Sequence, residues 1–184
     1  MPHRCPWYLG YVLLNPLRGL LQHPTKILAP YVRPGFRVFE PGPGMGYFTL
    51  ELARLVGPTG KVHVVDIEPR VLATLDRRAR RAGYESRVDI RLGREDGFGV
   101  DDLAGEVDFV LAFAVVHEFG DVTRFFAEAA MVMKPEAKLL LAEPNGHVSE
   151  EKFAQECAAA KAAGLSVIDH PYIWQSRTAV LAKA

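Results

Sequence analysis

The amino-acid sequence predicts an α/β fold in which a mostly parallel sheet has helices on both faces. From residue 36 onward, short apolar runs rich in Val, Ile, Leu and Phe alternate with longer helical patterns. Such alternation is typical of βα units on a parallel sheet. Two of the apolar runs have almost no polar alternation, as expected for strands that are covered on both faces.

Seven strands are predicted. Five come from the apolar runs and two from the C-terminal tail, and their ranges are 36–40, 61–67, 87–92, 107–113, 137–143, about 165–169 and about 177–183.

Four helices are predicted between these strands. Asp121 and Ser149 are good N-cap residues, whereas Gly57 with Pro58 and Gly83 are stop signals. The predicted helical segments are 46–57, 68–83, 121–134 and 149–164. The acidic, glycine-rich segment 93–106 is predicted to be a surface loop that holds one short helical turn.

The chain length suits one domain, because 184 residues already bury most of the apolar surface that an unfolded chain exposes. Prolines divide residues 1–35 into short segments rich in Leu, Trp and Tyr. We expect these residues to form an N-terminal helical cap that is part of the same domain as residues 36–184.

Composition narrows the classes of partner and compartment. The chain has 22 basic and 22 acidic residues, a balance that argues against a nucleic-acid partner held by phosphate neutralisation. Cys5 and Cys157 are too few for a disulfide framework and lack zinc-site spacing, so a reducing, cytoplasmic setting is predicted. The N-terminal apolar run is interrupted by Asn15, Pro16 and Arg18, and it is too short for a membrane span.

The stretch "FEPGPGMG" places Gly42, Gly44 and Gly46 directly after the first strand. In an open α/β sheet a ligand lies at the carboxyl ends of the strands, where glycines let the backbone approach it closely. Dinucleotide binders require G-x-G-x-x-G, but Tyr47 occupies the third required position. Glycines at such a turn can also serve close packing alone.

This G-x-G-x-G, preceded by Glu40, resembles the first motif of the class I S-adenosylmethionine-dependent methyltransferases. The resemblance runs from about residue 36 to the end of the chain. It includes "VVDIEP" with Asp66, "LGREDG" with Asp96, "VDFVLAFAVVHEF" at the fourth strand, and the final pair of strands. It implies a Rossmann-like, seven-stranded sheet with an antiparallel last strand, and S-adenosylmethionine as the cofactor.

The resemblance also implies a role for each cofactor-binding residue. The methionine end, which carries an ammonium, a carboxylate and a sulfonium, needs backbone contact from the glycines and a nearby negative charge. Asp66 is placed to accept hydrogen bonds from the ribose hydroxyls, and Asp96, or alternatively Glu95, to accept from the adenine amino group, with Ile67 and Phe98 around the ring. The predicted cofactor-binding residues are Glu40, Gly42, Pro43, Gly44, Gly46, Asp66, Ile67, Asp96, Gly97 and Phe113.

Catalytic residues are less clearly indicated. Methyl transfer is an in-line displacement that depends on positioning, and a general base is needed only if the acceptor arrives protonated. His117 and Glu118 follow the fourth strand and are the candidates, although a histidine here can also serve only to shape the pocket.

Two other site types are disfavoured by the residues present. The D/N-P-P-Y motif of amino methyltransferases is absent near residues 112–115. Glu143, Pro144, Asn145 and Phe113 stand where metal-dependent relatives have their ligands, so no metal is predicted.

The function predicted from the sequence is methyl transfer from S-adenosylmethionine to a small molecule. Arg77, Arg78, Arg80 and Arg81 are interpreted as a solvated helix face rather than a nucleic-acid patch. Three alternatives stay open: a cofactor-binding or partner-regulating module without catalysis, an RNA or protein methyltransferase, and a less favoured NAD-dependent oxidoreductase. The sequence identifies neither the acceptor atom nor the oligomeric state. The aromatic side chains of residues 1–35 either line the acceptor pocket or only cover the sheet. The candidates to line the pocket are Trp7, Tyr8, Tyr11, Asn15, Arg18, His170, Tyr172, Trp174 and Arg177.

Overall fold

The computed structural model describes residues 22–94 and 97–183, which fall into two compact units. We call residues 22–94 the N-terminal unit and residues 97–183 the C-terminal unit. Most of the predicted N-terminal cap, together with Glu95 and Asp96, lies outside the described residues.

The N-terminal unit contains three parallel strands in the order β3-β2-β1. Pro41 pairs with Val65 and Asp66 pairs with Leu92, so the three strands end at one edge of the sheet. The elements are α1 (Pro24–Leu28), β1 (Arg37–Pro41), α2 (Thr49–Val56), β2 (Lys61–Asp66), α3 (Pro69–Arg81) and β3 (Val88–Leu92).

The C-terminal unit contains four strands in the order β4-β5-β7-β6. Strand β4 is parallel to β5, whereas β7 is antiparallel to both of its neighbours, β5 and β6. The elements are β4 (Val107–Phe113), α4 (Val122–Val132), β5 (Met133–Pro144), α5 (Glu150–Ala162), β6 (Leu165–Asp169) and β7 (Ser176–Lys183), with single 3-10 turns at Asp101–Leu103 and Val116–Glu118.

These strands belong to a seven-stranded, mostly parallel sheet with an antiparallel last strand, which confirms the predicted fold class. The apolar runs form the buried strands: Phe39, Val64, Phe109, Leu111 and Leu140 are all fully covered. The short helical turn predicted within segment 93–106 is present at Asp101–Leu103.

Three predicted boundaries were wrong. Helix α4 ends at Val132, and β5 begins at Met133 rather than at residue 137. Pro135 disfavours a helical conformation of Lys134, so the chain becomes extended earlier than the apolar pattern indicates. Helix α2 begins at Thr49 rather than at Gly46, because Gly44 and Gly46 have positive φ angles that no α-helix contains.

Within residues 22–94 and 97–183, no helix is long and apolar enough to cross a membrane.

Candidate functional site

The glycine loop, residues 42–48, connects β1 to α2. The Gly42 N–H donates to the Val65 carbonyl at 2.8 Å, which extends the β1–β2 pairing by one residue. The Gly46 N–H then donates to the Pro43 carbonyl at 3.0 Å and closes a tight turn. Both Pro41 and Pro43 are buried, so the loop is held against the unit on the side where β2 also ends.

Gly44 and Gly46 are required for different reasons. At Gly46, φ is +82° and an added Cβ would lie 2.3 Å from Leu75 Cδ1, so neither conformation nor space allows a side chain. At Gly44, φ is +53° but nothing lies within 4 Å of an added Cβ. The backbone at Gly44 is therefore open to close approach, as a ligand cradle requires.

Arg78 supports this loop from α3. Its Nη1 donates to the Met45 carbonyl, and its guanidinium is half-buried, which lowers its pKa. The neighbouring arginines behave as the sequence predicted: Arg80 pairs with Asp76 at 2.9 Å on the exposed helix face. Arg78 is the exception, and the run of arginines gave no signal that one of them would hold the glycine loop.

Glu40, which precedes the glycine loop, is buried with 4% of its surface exposed. The Thr49 Oγ1–H donates to Glu40 Oε2 at 2.7 Å. Burial raises the pKa of Glu40 to about 8, although the Thr49 hydrogen bond opposes the shift. A buried carboxyl group of this kind favours a nearby cation, because a cation would restore its ionised form.

We expect the free energy of unfolding of the ligand-free chain to fall as pH rises towards the raised pKa of Glu40, about 8. Below that pKa the folded chain keeps a proton that the unfolded chain has already released, so this contribution is lost as pH rises. Urea unfolding at about pH 5.5 and about pH 8.5 should show a loss of about 3 kcal/mol that Glu40→Gln lacks. Equal pH dependence in both proteins would contradict the prediction.

Asp66 is the last residue of β2, at the edge where the glycine loop begins. Its Oδ1 accepts the Glu68 N–H at 2.9 Å. Burial raises the pKa of Asp66, and the N–H groups of Glu68 and Ile67 partly oppose this. The next side chain, Ile67, is 45% exposed, so a carboxyl group and an exposed apolar side chain stand together at the strand end.

The segment after β3 begins beside Asp66, because the Gly93 N–H donates to the Asp66 carbonyl at 2.9 Å. Asp96, the predicted adenine partner, and its alternative Glu95 lie outside the described residues. The described N-terminal unit thus brings Glu40, the glycine loop, Asp66 and Ile67 to one edge of its sheet.

The other predicted cofactor residues lie in the C-terminal unit. At Gly97 an added Cβ would lie 2.6 Å from Glu128 Oε1, and the Phe98 N–H donates to Glu128 Oε2 at 2.6 Å. The Phe98 ring is buried edge-on against Phe119 and Phe125, so it packs in an aromatic cluster of this unit. Half-buried Phe113 ends β4.

The turn after β4 encloses the carboxylate of Glu143, which is fully buried at the end of β5. The Val115 and Val116 N–H groups donate to Glu143 Oε1 at 3.1 and 2.8 Å. His117 Nδ1 contacts Glu143 Oε2. The turn starts at Ala114, whose φ of +54° is uncommon for a residue with a side chain and marks local strain.

His117 is therefore held by a buried acceptor. Because a carboxylate only accepts hydrogen bonds, the proton lies on Nδ1, and Nε2 can accept one in the neutral ring. Burial lowers the pKa of His117, but the hydrogen bond and charge of Glu143, with Glu118, outweigh it, and the net shift is upward. Glu118 is exposed, and its negative charge also raises the pKa of His117.

Sequence reasoning missed three site residues. In the sequence, Glu143 was noted only because it replaces a ligand of metal-dependent relatives. Thr49 was not considered, and Arg78 was not expected to hold the glycine loop. The contact between His117 and Glu143 could have been predicted from two stretches, "VVHEF" after β4 and "AEP" at the end of β5. The ends of adjacent parallel strands lie side by side. Among residues 22–94 and 97–183, no group of three His, Cys, Asp or Glu residues is arranged to hold a metal.

A protein-family model described as "Methyltransferase domain" matches residues 33–184 of the chain. The chain belongs to the class I S-adenosylmethionine-dependent methyltransferases. The resemblance found in the sequence motifs is thereby confirmed, and S-adenosylmethionine is the cofactor that this family implies.

Curated relatives share part of the sequence of this chain. It is 32% identical over 145 residues to the ribosomal protein L11 methyltransferase of Pelotomaculum thermopropionicum, covering 78% of this chain and 42% of the relative. It is 30% identical over 112 residues to the tRNA (adenine(58)-N(1))-methyltransferase TrmI of Thermus thermophilus, covering 61% of this chain and 41% of the relative. The chain thus spans about two-fifths of the length of these relatives.

The fold comparison covers more of the chain. A solved structure of a SAM dependent methyltransferase from Aquifex aeolicus has a TM-score of 0.84 and 22% identity, covering 97% of this chain and 98% of that one. At this identity the similarity establishes the fold. The names of the curated relatives include protein, tRNA and ubiquinone/menaquinone biosynthesis methyltransferases, so family membership alone does not select an acceptor class.

Proposed function

We propose that this chain transfers a methyl group from S-adenosylmethionine to a small-molecule acceptor. The observation that carries the proposal is the meeting of the glycine loop, Glu40 and Asp66 at the carboxyl edge of β1 and β2. S-adenosylmethionine supplies a methyl group already activated by its sulfonium. The protein's own contributions are binding, orientation and the movement of a proton.

Each residue has a role that suits its surroundings. Glu40 favours the ammonium of the methionine end, because a nearby cation stabilises its buried, ionised carboxylate. The open backbone at Gly44 admits the ligand closely, as only a glycine in this conformation does. Asp66 accepts the ribose hydroxyls, and Ile67 offers an exposed apolar contact to the adenine.

His117 is proposed as the base when the acceptor is protonated. Its Nδ1–H is held by Glu143, so Nε2 is the atom that takes the proton. We assign Gly97, Phe113 and Asp96 to the cofactor site by the resemblance of their motifs, and Glu118 to the charge around His117.

A small molecule is preferred as the acceptor because the chain carries no basic excess. Its formal net charge is zero, and the exposed Arg80 is neutralised by Asp76. A reducing, cytoplasmic setting remains part of the proposal, on the basis of the two isolated cysteines.

The decisive binding experiment uses S-adenosylhomocysteine and isothermal calorimetry. We expect saturable binding, which Asp66→Ala weakens roughly 10- to 100-fold, since a hydrogen bond to a charged group contributes about 1.5–3 kcal/mol. Asp66→Asn keeps an oxygen for the Glu68 N–H and should weaken binding less. Asp76→Asn, on the exposed face of α3, is the matched control and should bind like the unaltered chain.

Transfer is tested with S-adenosylmethionine labelled on the methyl group and three acceptor pools: small molecules, RNA and proteins. Label in the small-molecule pool that Asp66→Ala abolishes supports the proposal. Transfer only to RNA or protein would replace the acceptor class. Binding without transfer to any pool would identify a cofactor-binding or partner-regulating module, and binding of NADH instead of S-adenosylhomocysteine would overturn the cofactor assignment.

A further inference from the structure

Helix α4 holds the backbone of Phe98 through a carboxylate that the proposed function leaves without a role. The Phe98 N–H donates to Glu128 Oε2 at 2.6 Å. The other carboxyl oxygen, Oε1, accepts from Arg124 Nε at 2.8 Å, and Arg124 lies one turn earlier on the same helix. The carboxylate of Glu128 therefore joins the loop backbone at Phe98 to the side chain of Arg124.

Gly97 fits closely against this ion pair. An added Cβ at Gly97 would lie 2.6 Å from Glu128 Oε1 and 2.7 Å from Arg124 Nη2, so the two charged groups occupy the place that a side chain would take. The Glu128 side chain is 19% exposed, whereas the Arg124 side chain is 52% exposed. The hydrogen bond to the buried Phe98 is thus better shielded from water than the ion pair, which as a surface pair contributes little by itself.

The ring of Phe98 gives this segment a second attachment. It packs edge-on against Phe119 and Phe125, with ring centroids 5.3 Å apart in both pairs. Edge-to-face pairs of this kind are favourable beyond the burial of their area. Phe125 belongs to α4, as Glu128 does, so one helix holds both the side chain and the backbone N–H of Phe98.

We propose that Glu128 is a positioning residue for the adenine end of the cofactor, and that it acts through the backbone of Gly97 and Phe98. The inference rests on the proposed function, in which the motif that ends at Gly97 recognises the adenine. A backbone segment selects one base over another when its polar groups are held in place before the base binds. Glu128 fixes the Phe98 N–H, and Arg124 orients the carboxylate by holding its other oxygen.

The test compares two ligands by calorimetry, S-adenosylhomocysteine and S-inosylhomocysteine, in which hypoxanthine replaces adenine. The two ligands differ only at the hydrogen-bonding edge of the base. We expect Glu128→Ala to weaken the binding of S-adenosylhomocysteine roughly tenfold, because a hydrogen bond to a charged group is lost. The binding of S-inosylhomocysteine should fall less, so the preference for adenine should shrink by about three- to tenfold.

Three further variants serve as controls. Glu128→Gln keeps an oxygen that accepts the Phe98 N–H, and it should retain the preference for adenine to within about threefold. Arg124→Met removes only the exposed partner of the carboxylate, and its effect should also stay within about threefold. Glu151→Ala, on the exposed side of α5, should bind both ligands like the unaltered chain.

The ligand comparison separates positioning from a role in folding alone. If Glu128 served only the stability of the fold, Glu128→Ala would weaken both ligands alike and leave the preference for adenine unchanged, and that result would overturn the inference. If the unaltered chain bound neither ligand, the proposed function would fail, and this inference with it. The two failures are therefore distinguishable.

A measurement on the unaltered chain keeps the test valid if Glu128→Ala fails to fold. Amide hydrogen exchange, followed by NMR without any ligand, reports on the Phe98 N–H directly. We expect this amide to exchange at least about tenfold more slowly than an amide of an unstructured peptide, because it is buried and bonded to Glu128. Exchange at the unstructured rate would overturn the proposal.

Discussion

Replacing Glu143 by Ala is expected to lower the free energy of unfolding by about 3–5 kcal/mol. The change removes the acceptor of the buried Val115 and Val116 N–H groups and of His117 Nδ1. Each buried donor left unpaired costs about 1–3 kcal/mol, and the vacated volume adds to the loss. Urea unfolding near neutral pH, with the slope compared between variants, measures the effect.

Glu143→Gln is the matched variant for this prediction. The glutamine side chain keeps an oxygen acceptor and nearly the same volume, so the loss should be about 1–2 kcal/mol. If Glu143→Ala were within about 1 kcal/mol of the unaltered chain, the turn after β4 would not depend on this carboxylate.

The second large effect is expected from Gly46→Ala, which should lower the free energy of unfolding by about 3–4 kcal/mol and weaken S-adenosylhomocysteine binding. A positive φ costs an L-residue roughly 1–2 kcal/mol, and the new methyl group would overlap Leu75, with overpacking adding about 1–3 kcal/mol. Thermal and urea unfolding report the first effect, and calorimetry the second.

Gly44→Ala is the control that separates the cost of a positive φ angle from the cost of steric overlap. Its φ is also positive, but no atom lies within 4 Å of the added Cβ, so only the conformational loss of about 1–2 kcal/mol is expected. In a double-mutant cycle, Leu75→Val should recover part of the loss in Gly46→Ala, because it removes the overlapping methyl group. Equal losses in the two alanine variants would contradict the steric explanation.

The strands could be predicted from the sequence because their apolar residues form short continuous runs, as at Phe109 and Leu111. The start of β5 could not, because Met133 is buried at the end of a segment whose pattern continues as a helix. That boundary depends on backbone restriction before Pro135 rather than on hydrophobicity.

The N-terminal part of the site could be predicted because its residues belong to short contiguous sequence motifs. Glu40, the alternate glycines and Asp66 stand at strand ends, where sequence reasoning looks for ligands. The burial of Glu156 could not be predicted, because a glutamate in the middle of a helix usually faces water. Only the three-dimensional structure shows that this one is buried.

The position of β7 has a consequence for the order in which the chain acquires its structure during synthesis. Strands β1, β2 and β3 are neighbours and leave the ribosome close together, so the N-terminal unit can pair its strands early. Strand β7 joins β5 to β6 but is translated after both. One edge of β5 and one edge of β6 therefore stay unpaired until residues 176–183 are made, and we expect the nascent chain at this stage to be prone to aggregation, because unpaired strand edges can pair with other chains.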